Sequence, residues 1–252
     1  FQNIYAFFIG NRVGLVALGY YTQADKWSKM GVMSLSQVLT SSFLPVLSKD
    51  QDDPARFAAA TARMNRLTAY LLFPAMGFLA VMATPIFHAL FGTKWDAAIA
   101  LFQLLLLRGV FTVLCQLYNN YILALGRSRL LVITEALRDG VALAAIVATL
   151  PVIALSGPDD VVEGVRIFLW GQVGATFIAW AATLIMTVRV VGSHASCRGF
   201  LRDLAPYAVM TLPLMAAMWG LSLVIANVWL LMAAQIAVGV GLYMGANALL
   251  GS

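Results

Sequence analysis

Charge is what this sequence has least of. It carries 16 basic and 11 acidic side chains among 252 residues, so 11% are charged, where soluble domains hold about 25%. A soluble globule of this size could not cover its surface with so few. A soluble enzyme, a nucleic-acid-binding domain and a disordered chain are therefore excluded. Cysteine is also scarce: Cys115 and Cys197 stand far apart and make neither a disulfide framework nor a metal-ligand spacing. The two histidines, His88 and His194, make no catalytic pair; His88 reads as a boundary residue with no carboxylate near it in sequence. There is no phosphate-binding glycine loop and no zinc signature, so neither cofactor nor metal is expected. A basic region followed by a cleavage site is missing too, which excludes a signal peptide. The chain opens at Phe1, already apolar, and reads as a fragment whose N-terminal portion is absent.

What is present is hydrophobic sequence, 62% of all residues. A spanning helix needs about 20 mostly apolar residues. Uncharged runs of that order occur at 30–48, 67–93, 109–126, 140–158, 167–188 and 204–252. The last is too long for one crossing and divides near Asn227. The predicted fold is all-α: a polytopic integral membrane bundle of about eight transmembrane helices. They are expected near 2–20, 27–47, 67–91, 98–125, 130–155, 166–188, 205–226 and 228–250. Barrel strands are excluded because the runs are too long and do not alternate. Asp52-Asp53-Pro54 reads as a helix start. Phe57, Met64 and Leu67 beside Arg56, Arg63 and Arg66 predict an amphipathic helix lying at the membrane surface and running into the third span.

The positions of the charges predict orientation. Loops after the even-numbered helices hold Lys49, Arg56, Arg63, Arg66, Arg127, Arg129, Arg189, Arg198 and Arg202; the opposite loops hold Lys26, Lys29, Lys94 and Arg166. The basic excess marks the even side, and with it the C-terminus, as cytoplasmic. The acidic turn around Asp159 and Asp160 then falls outside. Most of the net charge of +5 is thus a topology signal facing anionic lipid, and no nucleic-acid partner is expected.

Charges left inside the spans are the chemical candidates. A charge at mid-membrane costs at least about 2.5 kcal/mol, so it normally faces a bundle interior or a water-filled cavity. Arg108 stands about 18 Å along its helix from Asp96. Thr112, Cys115, Gln116 and Asn119 follow it at helical spacing, a polar stripe suited to a hydrated or anionic substrate. Arg12 lies deep in the first predicted helix. The second carries Ser34, Gln37, Ser41, Pro45 and Ser48 on one face, either cavity lining or interhelical contacts. Glu135, Arg138 and Asp139 fall within one turn. They read either as an ion-pair cluster at the membrane boundary, with a spare carboxylate, or as an ion-coupling site.

These residues also carry a resemblance. Leu18-Gly19-Tyr20-Tyr21 with Ala24, Leu44-Pro45-Val46-Leu47-Ser48 and Asp52-Asp53-Pro54 follow one another in order. Leu90-Phe91-Gly92-Thr93-Lys94-Trp95 and Leu123-Ala124-Leu125-Gly126-Arg127 continue the series. Over about 1–190 the chain resembles the polysaccharide-exporting flippases of the multidrug/oligosaccharidyl-lipid/polysaccharide export superfamily. The resemblance implies a transporter, not an enzyme, that moves an undecaprenyl-diphosphate-linked oligosaccharide across the bacterial inner membrane. Residues 1–190 would then be the second six-helix lobe of a two-lobe transporter. Residues 191–252 would be a cytoplasmic linker and two additional C-terminal helices. Arg108 and Arg12 would meet the diphosphate, since a guanidinium binds phosphate bidentately and stays charged. The implied partners are the lipid-linked oligosaccharide, the bilayer and other polysaccharide-assembly proteins. A multidrug extruder of the same superfamily, and a membrane-embedded glycan polymerase or glycosyltransferase, are the alternatives.

Overall fold

The structure is a computed structural model that describes residue 6 and residues 9–11, 14–48, 52–155, 161–192 and 194–250. No strand occurs among the described residues. The helices are α1 (Leu15–Leu47), α2 (Pro54–Val81), α3 (Ala83–Phe91), α4 (Asp96–Ala124), α5 (Ser128–Leu155), α6 (Val161–Val191), α7 (Cys197–Ser222) and α8 (Val228–Leu250). Among the described residues, five helical stretches are long and apolar enough to cross a membrane: Pro54–Val81, Thr93–Ala124, Val162–Val191, Cys197–Ser222 and Val228–Gly245.

The first two predicted spans are divided differently in the structure. A loop was expected at 21–26, but α1 runs through it. Its polar side chains are satisfied within the helix: Thr22 donates to the Leu18 carbonyl, Ser28 to that of Asp25, and Lys29 pairs with Asp25 at 2.5 Å. The break lies at Gly14, whose φ of 117° suits a residue without a Cβ. The third predicted span also changes. Asp53 caps α2 by accepting from the amides of Ala55 and Arg56 at 3.0 and 3.1 Å, as its position before Pro54 requires. From there one continuous helix runs to Val81. It thus continues into the third span as expected, with Phe57 and Met64 buried in the bundle. The span then bends at Met82, because Pro85 has no N–H to offer the Val81 carbonyl. Gln103 of α4 donates to the neighbouring Ala80 carbonyl at 2.9 Å.

Packing centres on α4. It lies between α1 and α6, with α2 also against it; α5 covers α6, α7 lies along α2, and α8 rests on α7 and α3. Glycine sets the closest approaches. A Cβ on Gly109 would stand 2.4 Å from Val32 of α1, and one on Gly77 would stand 2.6 Å from Thr211 of α7. Large apolar residues such as Val132, Trp170, Leu212 and Trp229 remain exposed, as expected where the surrounding solvent is lipid. The split near Asn227 is observed: its Oδ1 accepts from Trp229 and Leu230 at 3.0 and 3.1 Å and starts α8.

Tyr20 packs on Trp95, and Trp27 on Phe91, which brings the stretches that hold Lys26 and Lys94 together. Arg66 of α2 binds Asp203 of α7 at 3.0 Å. The expected outer turn at Asp159 and Asp160 lies outside the described residues.

Candidate polar site

A cavity lined largely by polar side chains lies where α1, α4 and α5 meet. It has a volume of about 380 Å3 and is lined by Ser36, Gln37, Gln116, Asn119, Asn120, Leu123, Leu131 and Glu135. Gln116 is eight residues from the end of α4 and Glu135 seven from the start of α5. Both thus lie roughly 10–12 Å in from the α4–α5 turn, where polar side chains need partners or water.

Three helices contribute two sets of hydrogen bonds. Ser36 of α1 donates to Gln116 of α4. Asn119 donates through Nδ2 to Glu135 at 2.9 Å and accepts at Oδ1 from Thr134 at 3.0 Å. Glu135 also holds Arg138 at 2.5 Å, and Arg138 reaches Asp139 at 3.2 Å. Asp139 is therefore not the spare carboxylate that its spacing suggested: one guanidinium serves two carboxylates. Nor is the trio only a local cluster, because Asn119 joins it to α4.

The predicted candidates divide around this cavity. Gln37, Gln116, Asn119 and Glu135 line it. Arg108 and Thr112 are half-buried on α4, about a turn or more deeper, and neither lines the cavity; Thr112 donates back to the Arg108 carbonyl. Ser34 is exposed on α1 and bonds back to Met30. Cys115 turns away from the stripe and is buried in the core. Arg12 and the side chain of Ser41 lie outside the described residues. The sequence reading did not select Ser36, Asn120 or Thr134. A lone hydroxyl or amide in an apolar run signals little until its partner helix is known.

The opposite side of α4 faces a larger cavity, of about 1270 Å3, between α2, α4 and α7. Its walls include Met76, Leu106, Val110, Leu114, Leu204 and Met215, a surface that hydrocarbon wets better than water. Polar groups gather at one end, where Thr84, His88, Gln103 and Ser222 line it. His88 is not an isolated boundary residue: its Nε2 lies 2.6 Å from Asp96, because the turn at Gly92–Trp95 folds α3 back on α4. Among the described residues, no three histidine, cysteine or carboxylate side chains gather as a metal site.

Comparison with known proteins agrees with the motif series. Residues 1–100 match the family model described as polysaccharide biosynthesis protein. The chain is 27% identical over 128 residues to the teichuronic acid biosynthesis protein TuaB of Bacillus subtilis, an alignment covering 51% of the chain and 26% of that protein. It is 25% identical over 118 residues to an uncharacterized membrane protein in the cps region of Klebsiella pneumoniae, covering 47% of the chain and 24% of that protein. The matched stretch is thus about a quarter of each relative's length. No solved structure gives a significant match.

Proposed function

From this likeness to membrane proteins of polysaccharide biosynthesis, we propose that the chain is part of a transporter. It would carry an undecaprenyl-diphosphate-linked oligosaccharide across the inner membrane by alternating access, in which two lobes rock around a midplane site. Residues 1–190 would form the second lobe, and 191–252 the linker and two additional helices with a cytoplasmic C-terminus. The observation that carries the reading is the hydrogen-bonded polar cavity between α1, α4 and α5. Amides and a carboxylate at that depth suit a hydrated cargo and would be wasteful in a purely structural bundle. Arg108, deeper on α4, is the candidate for the diphosphate, with Arg12. Glu135, Arg138 and Asp139 are candidates for ion coupling, because Glu135 belongs to both the ion cluster and the cavity wall.

The test uses purified full-length protein in vesicles that contain a lipid-linked glycan. The expected result is movement of the glycan to the opposite leaflet without formation of a new glycosidic bond. Arg108→Ala should reduce that movement at least tenfold at an unchanged protein level. Bond formation in place of movement would overturn the reading in favour of a polymerase or glycosyltransferase. Unchanged movement in Arg108→Ala would remove the role given to that residue.

A further inference from the structure

The chemical inventory of the polar cavity discriminates between the two halves of such a cargo. We propose that this cavity binds the carbohydrate portion through its hydroxyl groups and excludes the diphosphate. The inference rests on the transport reading and names what this site recognises.

A sugar hydroxyl both donates and accepts hydrogen bonds, whereas a diphosphate only accepts and needs donors with positive charge. The cavity walls carry four amides, Gln37, Gln116, Asn119 and Asn120, with the hydroxyl of Ser36 and the carboxylate of Glu135. Each amide has two N–H donors and an oxygen with two lone pairs, so Asn119 and Gln116 keep capacity beyond their bonds to Glu135, Thr134 and Ser36, which matches hydroxyls in either role. Leu123 and Leu131 complete the walls and suit the apolar C–H faces of a sugar ring. The volume of about 380 Å3 lies within the range of small-molecule sites, about 300–1,000 Å3.

Charge argues against the diphosphate. Among the described residues no cation lines the cavity. The nearest guanidinium along α5, Arg138, is held by Glu135 and Asp139 together, so the local set is negative by one charge. Phosphate oxygens placed beside Glu135 would face like charge in a poorly screened setting. The other cations on these elements lie outside the walls. Arg108 is about 12 Å deeper than Gln116 along α4, and Arg127 and Arg129 are exposed at the α4–α5 turn, with Arg129 about 9 Å from Glu135 along the helix. A cargo with its sugar in the cavity would place its diphosphate beyond it.

The test titrates full-length protein in lipid nanodiscs with two probes. One is an undecaprenyl-diphosphate-linked oligosaccharide, and the other is undecaprenyl diphosphate without sugar. Gln116→Leu is expected to weaken binding of the sugar-bearing lipid about tenfold, the yield of one or two lost hydrogen bonds. Binding of the sugar-free lipid should not change. Gln37→Ala repeats the comparison at an exposed position of α1, where truncation disturbs no packing. A loss confined to the sugar-bearing lipid in either variant supports the inference. Equal loss for both lipids, or no loss, in both variants overturns it while leaving the transport reading intact. Wild-type protein that binds neither lipid would overturn the transport reading, and this inference with it.

Discussion

On one side α4 turns Gln116, Asn119 and Asn120 toward α1 and α5; on the other it turns Leu106, Val110 and Leu114 toward α2 and α7. The two faces lie roughly 130° apart around one helix, so a single element separates a hydrogen-bonded cavity from an apolar groove more than three times its volume. The polar side is held by directed contacts from Ser36, Thr134 and Glu135. Directed contacts fix side-chain positions, and that is what a recognition surface needs. The groove side is held by shape, as where Gly77 lets α7 approach α2, and its walls present no pattern of donors and acceptors along most of its length.

The hardest way to break this difference is to remove the contact that brings α1 to α4. Gly109→Val places a branched side chain where a Cβ alone would stand 2.4 Å from Val32. The expected cost is about 3 kcal/mol, seen as a lower thermal midpoint of the purified protein and as loss of transport. A second change converts one face toward the other. Leu114→Asn puts an amide on the apolar side at a position 1% exposed, which should cost about 2 kcal/mol because most of that wall is apolar. An unchanged midpoint would mean that the groove is wet.

The reciprocal exchange, Asn119→Leu, deprives Glu135 and Thr134 of a shared partner. Its stability effect should be smaller, about 1 kcal/mol, but glycan transport should fall at least tenfold. Loss of stability and transport in parallel would count against a recognition role for this face. The mildest change is Ala208→Leu in the groove wall. Open space should accept the added methyl groups within about 0.5 kcal/mol, measured by the same thermal midpoint. A large drop would show that the groove is filled or closed in the working protein.

Much of this comparison could be read from particular residues before any folding. The spacing of Thr112, Gln116 and Asn119 already put them on one side of a helix, and the i, i+3 spacing of Glu135 and Arg138 already allowed their pairing. Two kinds of feature could not be read. One concerns helix continuity: the polar stretch 21–29 resembles a loop, yet Asp25 and Lys29 neutralise each other across one turn and the helix continues. The other concerns partners distant in sequence. Ser36 finds Gln116 only when α1 docks at Gly109, and Asn119 finds Glu135 only when α5 folds back along α4.

The sequence by itself determined the material of the protein: a helical membrane chain, poor in charge, whose motifs resemble those of polysaccharide-exporting proteins. Those properties follow from composition and local periodicity, because lipid admits few backbone solutions and each apolar run must satisfy its own hydrogen bonds. Only the tertiary structure decided which polar residues share a cavity and that the two faces of α4 serve opposite surroundings. Such pairings depend on which helices touch and at what register. In this chain, small residues such as Gly109 and Gly77 set those contacts through the space they leave, which no residue pattern along the chain displays.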